Sequence, residues 1–114
     1  MSLVLSDNIR LANSEVKVDN LDASLTSALE TLGSLHRILF GAPLVLTAGS
    51  NGTHSAGSKH YKNLAVDVRS WDKTEAGQVV WGAVLAYLAL KLNLAAFDER
   101  ARDKSPHWHI EVAD

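Results

Sequence analysis

NLAVDVR, residues 63–69, and HWHIEV, residues 107–112, are the two stretches that decide the fold. In the first, Leu64, Val66 and Val68 point one way from an extended chain, while Asn63, Ala65, Asp67 and Arg69 point the other. In the second, Trp108, Ile110 and Val112 alternate with His107, His109 and Glu111. Period-two alternation rich in β-branched residues predicts two half-buried strands, each with an apolar face and a face that carries acid or imidazole. If the strands pair, opposed side chains have Cβ atoms about 4.5–5.5 Å apart, so Asp67 and His109 can meet without distorting either strand.

Upstream, APLVLTAG (42–49) is a short apolar run bounded by Pro and Gly, a further strand, and SNGTHSAGSKH (50–60) is a loop without period. Leu21, Leu25, Ala28, Leu29, Leu32, Leu35 and Leu39 share one side of a 3.6-residue period. They predict an amphipathic helix over 20–40, capped by Asp19 or Asn20 and stopped by Gly41 and Pro43. Asp72 and Glu75 have the form of a capping box opening a second helix, whose run VVWGAVLAYLAL (79–90) predicts burial on most sides. AAFDER (95–100) reads as a short strand. The expected fold is therefore α+β: a small antiparallel sheet of about four strands packed with two main helices. The 114 residues make one domain, with residues 1–19 as a loosely ordered lead-in.

Composition narrows the chemistry. Eleven basic residues are scattered among thirteen acidic ones, a net charge of -2, which argues against nucleic acid as a partner. The twelve-residue apolar run is short of the roughly 20 residues of a membrane span, so no membrane insertion is expected. With no Cys, any metal must be held by nitrogen and oxygen ligands. MSLVLSDNIRLANSEVKV lacks the features of a secretory signal, so the expected product is made in the cytoplasm.

Four of the five His fall in two clusters, His54 with His60 and His107 with His109, each beside a strand whose polar face carries an acid. A catalytic Zn2+ takes three such ligands and leaves a position for water, and His60, Asp67 and His109 could supply the set. His107 leaves the strand on the same face as His109 and can approach a water without ligating the metal. Taken singly, the same residues have plainer readings: His36 as a hydrogen-bonded residue suited to the helix dipole, Asp67 as a solvent-facing or salt-bridged strand residue, Ser58 as part of a turn.

The combination is more specific. Ser58-Lys59-His60-Tyr61-Lys62-Asn63-Leu64-Ala65-Val66-Asp67 resembles the SxHxxGxAxD signature of zinc D-alanyl-D-alanine carboxypeptidases and related peptidoglycan peptidases. PHWHIEV is similar to the closing HxH strand of that superfamily, the LAS metallopeptidases, which include the hedgehog amino-terminal domain. The likeness covers roughly residues 42–112 and implies His60, Asp67 and His109 as zinc ligands, with Ser58 binding the substrate, often its carboxylate. It puts His54 in the cleft, where it would donate to the oxyanion, and makes His107 the non-ligating histidine. Asp103, six residues before His109, matches the hedgehog acid; it, or His107, would be the general base. Asn63 stands where the signature has Gly, Pro106 where an ExxH acid stands, and LTAGSN lacks the Arg of many relatives.

The resemblance implies a zinc peptidase cutting peptidoglycan stem or cross-link peptides, as a carboxypeptidase or endopeptidase. Its wall substrate and the missing export signal point to a bacteriophage or prophage lytic setting. Two other readings stand beside it: a non-catalytic, hedgehog-like zinc module for stability or partner binding, and a soluble α+β domain with surface histidines and no metal.

Overall fold

The computed structural model describes residues 5–50, 58–99 and 107–113. In chain order the elements are β1 (Ile9–Leu11), α1 (Ala23–Phe40), β2 (Leu44–Ala48), β3 (Ala65–Arg69), α2 (Glu75–Leu92), β4 (Leu94–Asp98) and β5 (His107–Val112). The fold is α+β, with one five-stranded sheet in the order β1-β2-β3-β5-β4. The sheet is mixed, not purely antiparallel, and has one strand more than expected. Ile9, Arg10 and Leu11 run parallel to Leu44, Val45 and Leu46, while every other pairing is antiparallel.

β1 lies within the first nineteen residues, and Ile9, Val16 and Val18 of that stretch are buried in the core. Three residues are too few to show a period, and a parallel partner 35 positions away leaves no local turn signal.

The alternation seen in the sequence sets the layers. Val66, Val68 and Ile110 join Leu44 and Leu46 beneath both helices, in one cluster with Leu25, Leu29 and Leu32 of α1 and Trp81, Leu85 and Leu88 of α2. Asp67 and His109 therefore stand on the sheet face away from the helices. That face is not open at β3. Ala65 is fully buried and Asp67 is 8% exposed, so β3 is covered on both sides rather than half-buried.

Both helix starts lie later than expected. Asp22, not Asp19 or Asn20, caps α1, its Oδ2 accepting from Ser24 N–H at 3.0 Å. Thr74, not Asp72, caps α2, its Oγ1 accepting from Gly77 N–H at 3.1 Å, while Asp72 pairs with Lys73 at 3.3 Å. Gly41 ends α1 in the left-handed region (φ 67°), as its sequence position predicts. α2 is less buried than its composition suggested: only Trp81, Leu85 and Leu88 are buried, and Val79, Tyr87 and Leu90 are exposed. A uniformly apolar helix carries no period to say which side faces in. Even so, no helix among the described residues is long and apolar enough to cross a membrane.

Candidate metal centre

Three side chains from three parts of the chain meet on the outer face of the sheet. Asp67 and His109 are direct cross-strand partners in the β3–β5 register. His60 comes from the tight turn before β3, in which Ser58, Lys59 and His60 carbonyls accept from Tyr61, Lys62 and Asn63 N–H groups at 3.1–3.2 Å. Asn63 closes that turn in the left-handed region (φ 61°), the conformation that a Gly in its place would also adopt. Its carbonyl accepts from Asp22 N–H at 2.9 Å, tying the turn to the start of α1.

The three polar atoms form a near-equilateral triangle. His60 Nε2 lies 3.1 Å from His109 Nδ1, and Asp67 Oδ1 lies 3.2 Å from each. The outward partners of the rings fix which atoms carry protons. His60 Nδ1 lies 2.8 Å from Gly49 O, a carbonyl that can only accept, so Nδ1 carries the hydrogen and Nε2 of the neutral ring keeps its lone pair. His109 Nε2 lies 2.8 Å from Glu111 Oε1 and donates to it, leaving the lone pair on Nδ1. Three lone pairs thus face one another in a buried pocket, an arrangement that is repulsive until positive charge enters it.

A metal ion fits that demand. Ligand atoms at 2.0–2.1 Å around a tetrahedral ion are about 3.3–3.4 Å apart, against edges of 3.1, 3.2 and 3.2 Å here. Two imidazoles and one carboxylate are donors suited to borderline divalent cations. The surrounding groups are of the kind that orient ligands: Gly49 O behind His60, Glu111 behind His109, and Lys59, whose Nζ lies 3.1 Å from Glu111 Oε2 and donates to Val112 O at 2.6 Å. His60, Asp67 and His109 can therefore hold a metal ion.

Without metal, protons supply the charge. Burial opposes ionisation of Asp67, but hydrogen bonds from His109 and His60 and the nearby charge of His60 and His107 outweigh it, holding the carboxyl well below the usual range. Burial likewise disfavours a charged His109, and its bonds to Asp67 and Glu111 overcome this and raise its pKa. Burial pushes Glu111 up, and His109 and Lys59 pull it below its ordinary value.

His107 lies beside this triangle, its Nε2 3.7 Å from Asp67 Oδ2 and 3.7 Å from Glu99 Oε1. Ser58 stands at the turn, its Oγ accepting from His60 N–H at 3.2 Å, so it shapes the backbone that presents His60. His54 and Asp103 lie outside the described residues. His36 is away from the site, 3% exposed, its Nδ1 donating to Ala42 O at 2.8 Å and its ring packed on Phe40 and Trp81. Burial lowers its pKa, so it is kept neutral rather than charged towards the helix dipole.

Sequence reasoning missed Glu99 and Gly49. Glu99 follows β4 and is joined to His107 by a backbone bond, Glu99 N–H to His107 O at 3.0 Å. The register places it: Phe97 opposes His109, so two positions further Glu99 comes out on the same face. Gly49 is needed for space, since a Cβ there would lie 1.9 Å from Lys17 O. Beside the triangle, Phe97, Glu99, His109 and Glu111 help line an open cleft of about 640 Å³ along β4.

Compared with known proteins, the chain matches no family model and no curated relative.

Proposed function

We propose that the protein is a zinc-dependent peptidase that hydrolyses amide bonds in peptidoglycan stem or cross-link peptides. The observation that carries the reading is the convergence of His60 Nε2, Asp67 Oδ1 and His109 Nδ1, with the two imidazole lone pairs turned inward by Gly49 O and Glu111 Oε1 on the far sides of the rings. Zinc held by His60, Asp67 and His109 would supply a Lewis acid for the scissile carbonyl and would lower the pKa of a bound water towards neutrality. The substrate class rests on the likeness of Ser58–Asp67 and of the closing HxH strand to peptidoglycan peptidases.

The chain's own residues then handle protons and position. His107 Nε2, 3.7 Å from both Asp67 Oδ2 and Glu99 Oε1, takes the water proton, and the two carboxylates hold the resulting imidazolium. The proton returns to the leaving amine. Asp103 is the alternative acceptor that the sequence resemblance names, with His54 as donor to the oxyanion and Ser58 as a contact for the substrate carboxylate. The cleft along β4, with half-exposed Phe97 at its wall, accommodates the peptide.

A second reading, a non-catalytic zinc module, is favoured by one feature: the ligands come from β3, β5 and a turn, so an ion there ties three separate segments of a small domain. Purified peptidoglycan and synthetic stem peptides, incubated with zinc-loaded wild type, His107→Ala and His109→Ala, separate the two. New amino termini with wild type, lost in His109→Ala and strongly reduced in His107→Ala, support the peptidase. Stoichiometric zinc with no cleavage across the peptide panel overturns it and leaves the module.

A further inference from the structure

Asp67 uses only half of its carboxylate in the triangle. Its Oδ1 meets His60 and His109, while Oδ2 is turned towards His107. His107 Nε2 lies 3.7 Å from Oδ2, beyond hydrogen-bond length. Glu99 Oε1 lies the same 3.7 Å from His107 Nε2, and one ligand atom from each of Asp67, Glu99 and His107 falls within 4.8 Å of the others. One imidazole nitrogen and two carboxylate oxygens thus surround a second position, next to the first and sharing Asp67.

We propose that this group is a second, weaker site for a divalent transition cation, bridged to the first through the two oxygens of Asp67. The inference rests on the metal reading of the first site. A carboxylate that offers one oxygen to each of two ions is the arrangement of paired-metal centres, whose ions stand about 3.5–4 Å apart. The donor set suits such a cation as well, one imidazole nitrogen with two carboxylates. The second site is weaker for a geometric reason. Its two edges at His107, each 3.7 Å, must contract towards the roughly 3.3–3.4 Å of a tetrahedral zinc site, whereas the first triangle is already closed. Filling it also withdraws His107 from proton transfer, so the second equivalent slows hydrolysis.

The test is a zinc titration of the chelator-stripped full chain, with bound metal counted by equilibrium dialysis and native mass spectrometry. Two equivalents are expected, the second needing more free zinc than the first, in keeping with its wider ligand spacing. Glu99→Gln and His107→Gln should each keep the first equivalent, which serves as the check on folding, and weaken the second at least about 10-fold. In the cobalt-substituted protein, the second equivalent should diminish the electron paramagnetic resonance signal per ion, because a shared carboxylate couples the two spins. Saturation at one equivalent up to millimolar zinc overturns the inference and leaves the first site standing. A second equivalent unchanged by both substitutions overturns it too, since that ion binds elsewhere. Absence of any bound zinc overturns the first-site reading along with it.

Discussion

Removing Glu111 tests how His109 is presented to a metal. Glu111 Oε1 accepts from His109 Nε2 at 2.8 Å and Glu111 Oε2 pairs with Lys59 at 3.1 Å, with the Glu111 side chain 20% exposed. In Glu111→Ala, His109 loses the charge-assisted bond that orients its ring and raises the basicity of Nδ1. Loss of such an outer partner lowers metal affinity by about 10–100-fold, or about 1.4–2.7 kcal/mol. The Lys59 pair is partly solvated and adds only about 0–1 kcal/mol to folding. Zinc affinity should therefore fall by more than the stability of the metal-free protein does. Glu111→Gln keeps an accepting amide oxygen in the same place and should fall between the two. Competition against a fluorescent zinc chelator at constant pH measures the affinities, and chelated thermal melts measure the stabilities. Affinity in Glu111→Ala within about twofold of wild type would refute the reasoning, because Nδ1 could not then be a ligand that depends on Glu111.

Other expectations follow from the same geometry. Gly49→Ala places a Cβ 1.9 Å from Lys17 O, so the backbone must move and draw Gly49 O from His60; a loss of about 1–3 kcal/mol in urea unfolding, with weaker zinc binding, is expected. Thr74→Ala should cost about 1 kcal/mol by the same assay and Asp72→Ala well under that, since Thr74 and not Asp72 caps α2; the reverse order would contradict the assigned cap. In the metal-free protein, the raised pKa of His109 makes its contribution complete below its ordinary 6.5 and lost as pH rises through the folded value. Asp67, lowered from 3.8, contributes above that pH and loses its contribution as pH falls through its folded value. The melting-temperature gap between wild type and His109→Gln in chelator should thus narrow from pH 6 to pH 9, and stay wide with zinc; a gap independent of pH in chelator would contradict the proton's role.

What the sequence made legible was local. Alternation in NLAVDVR and HWHIEV predicted the faces of β3 and β5 and put Asp67 and His109 on the same one, and the structure sets these two residues directly opposite each other. Asn63 could be read as a turn residue because its short polar side chain tolerates the left-handed region. The misses were non-local. β1 is defined by its parallel partner Leu44–Leu46 and not by any pattern of its own. The cap of α2 went to Thr74 because the chain enters the helix two residues later than the Asp72–Glu75 spacing suggested. The direction of α2 was hidden by its uniform apolarity, and Glu99 by an unremarkable acidic setting whose meaning depends on the β4–β5 register. Gly49 matters only because Lys17 crosses it.

The central claim is that three inward lone pairs hold one zinc ion. Zinc K-edge X-ray absorption on protein loaded with one equivalent and dialysed tests it most directly. The account predicts one retained zinc per chain, a shell of nitrogen and oxygen at about 2.0–2.1 Å, and outer scattering from two imidazoles that falls to one in His109→Ala. A sample that retains no zinc, or a spectrum unchanged by His109→Ala, would contradict it.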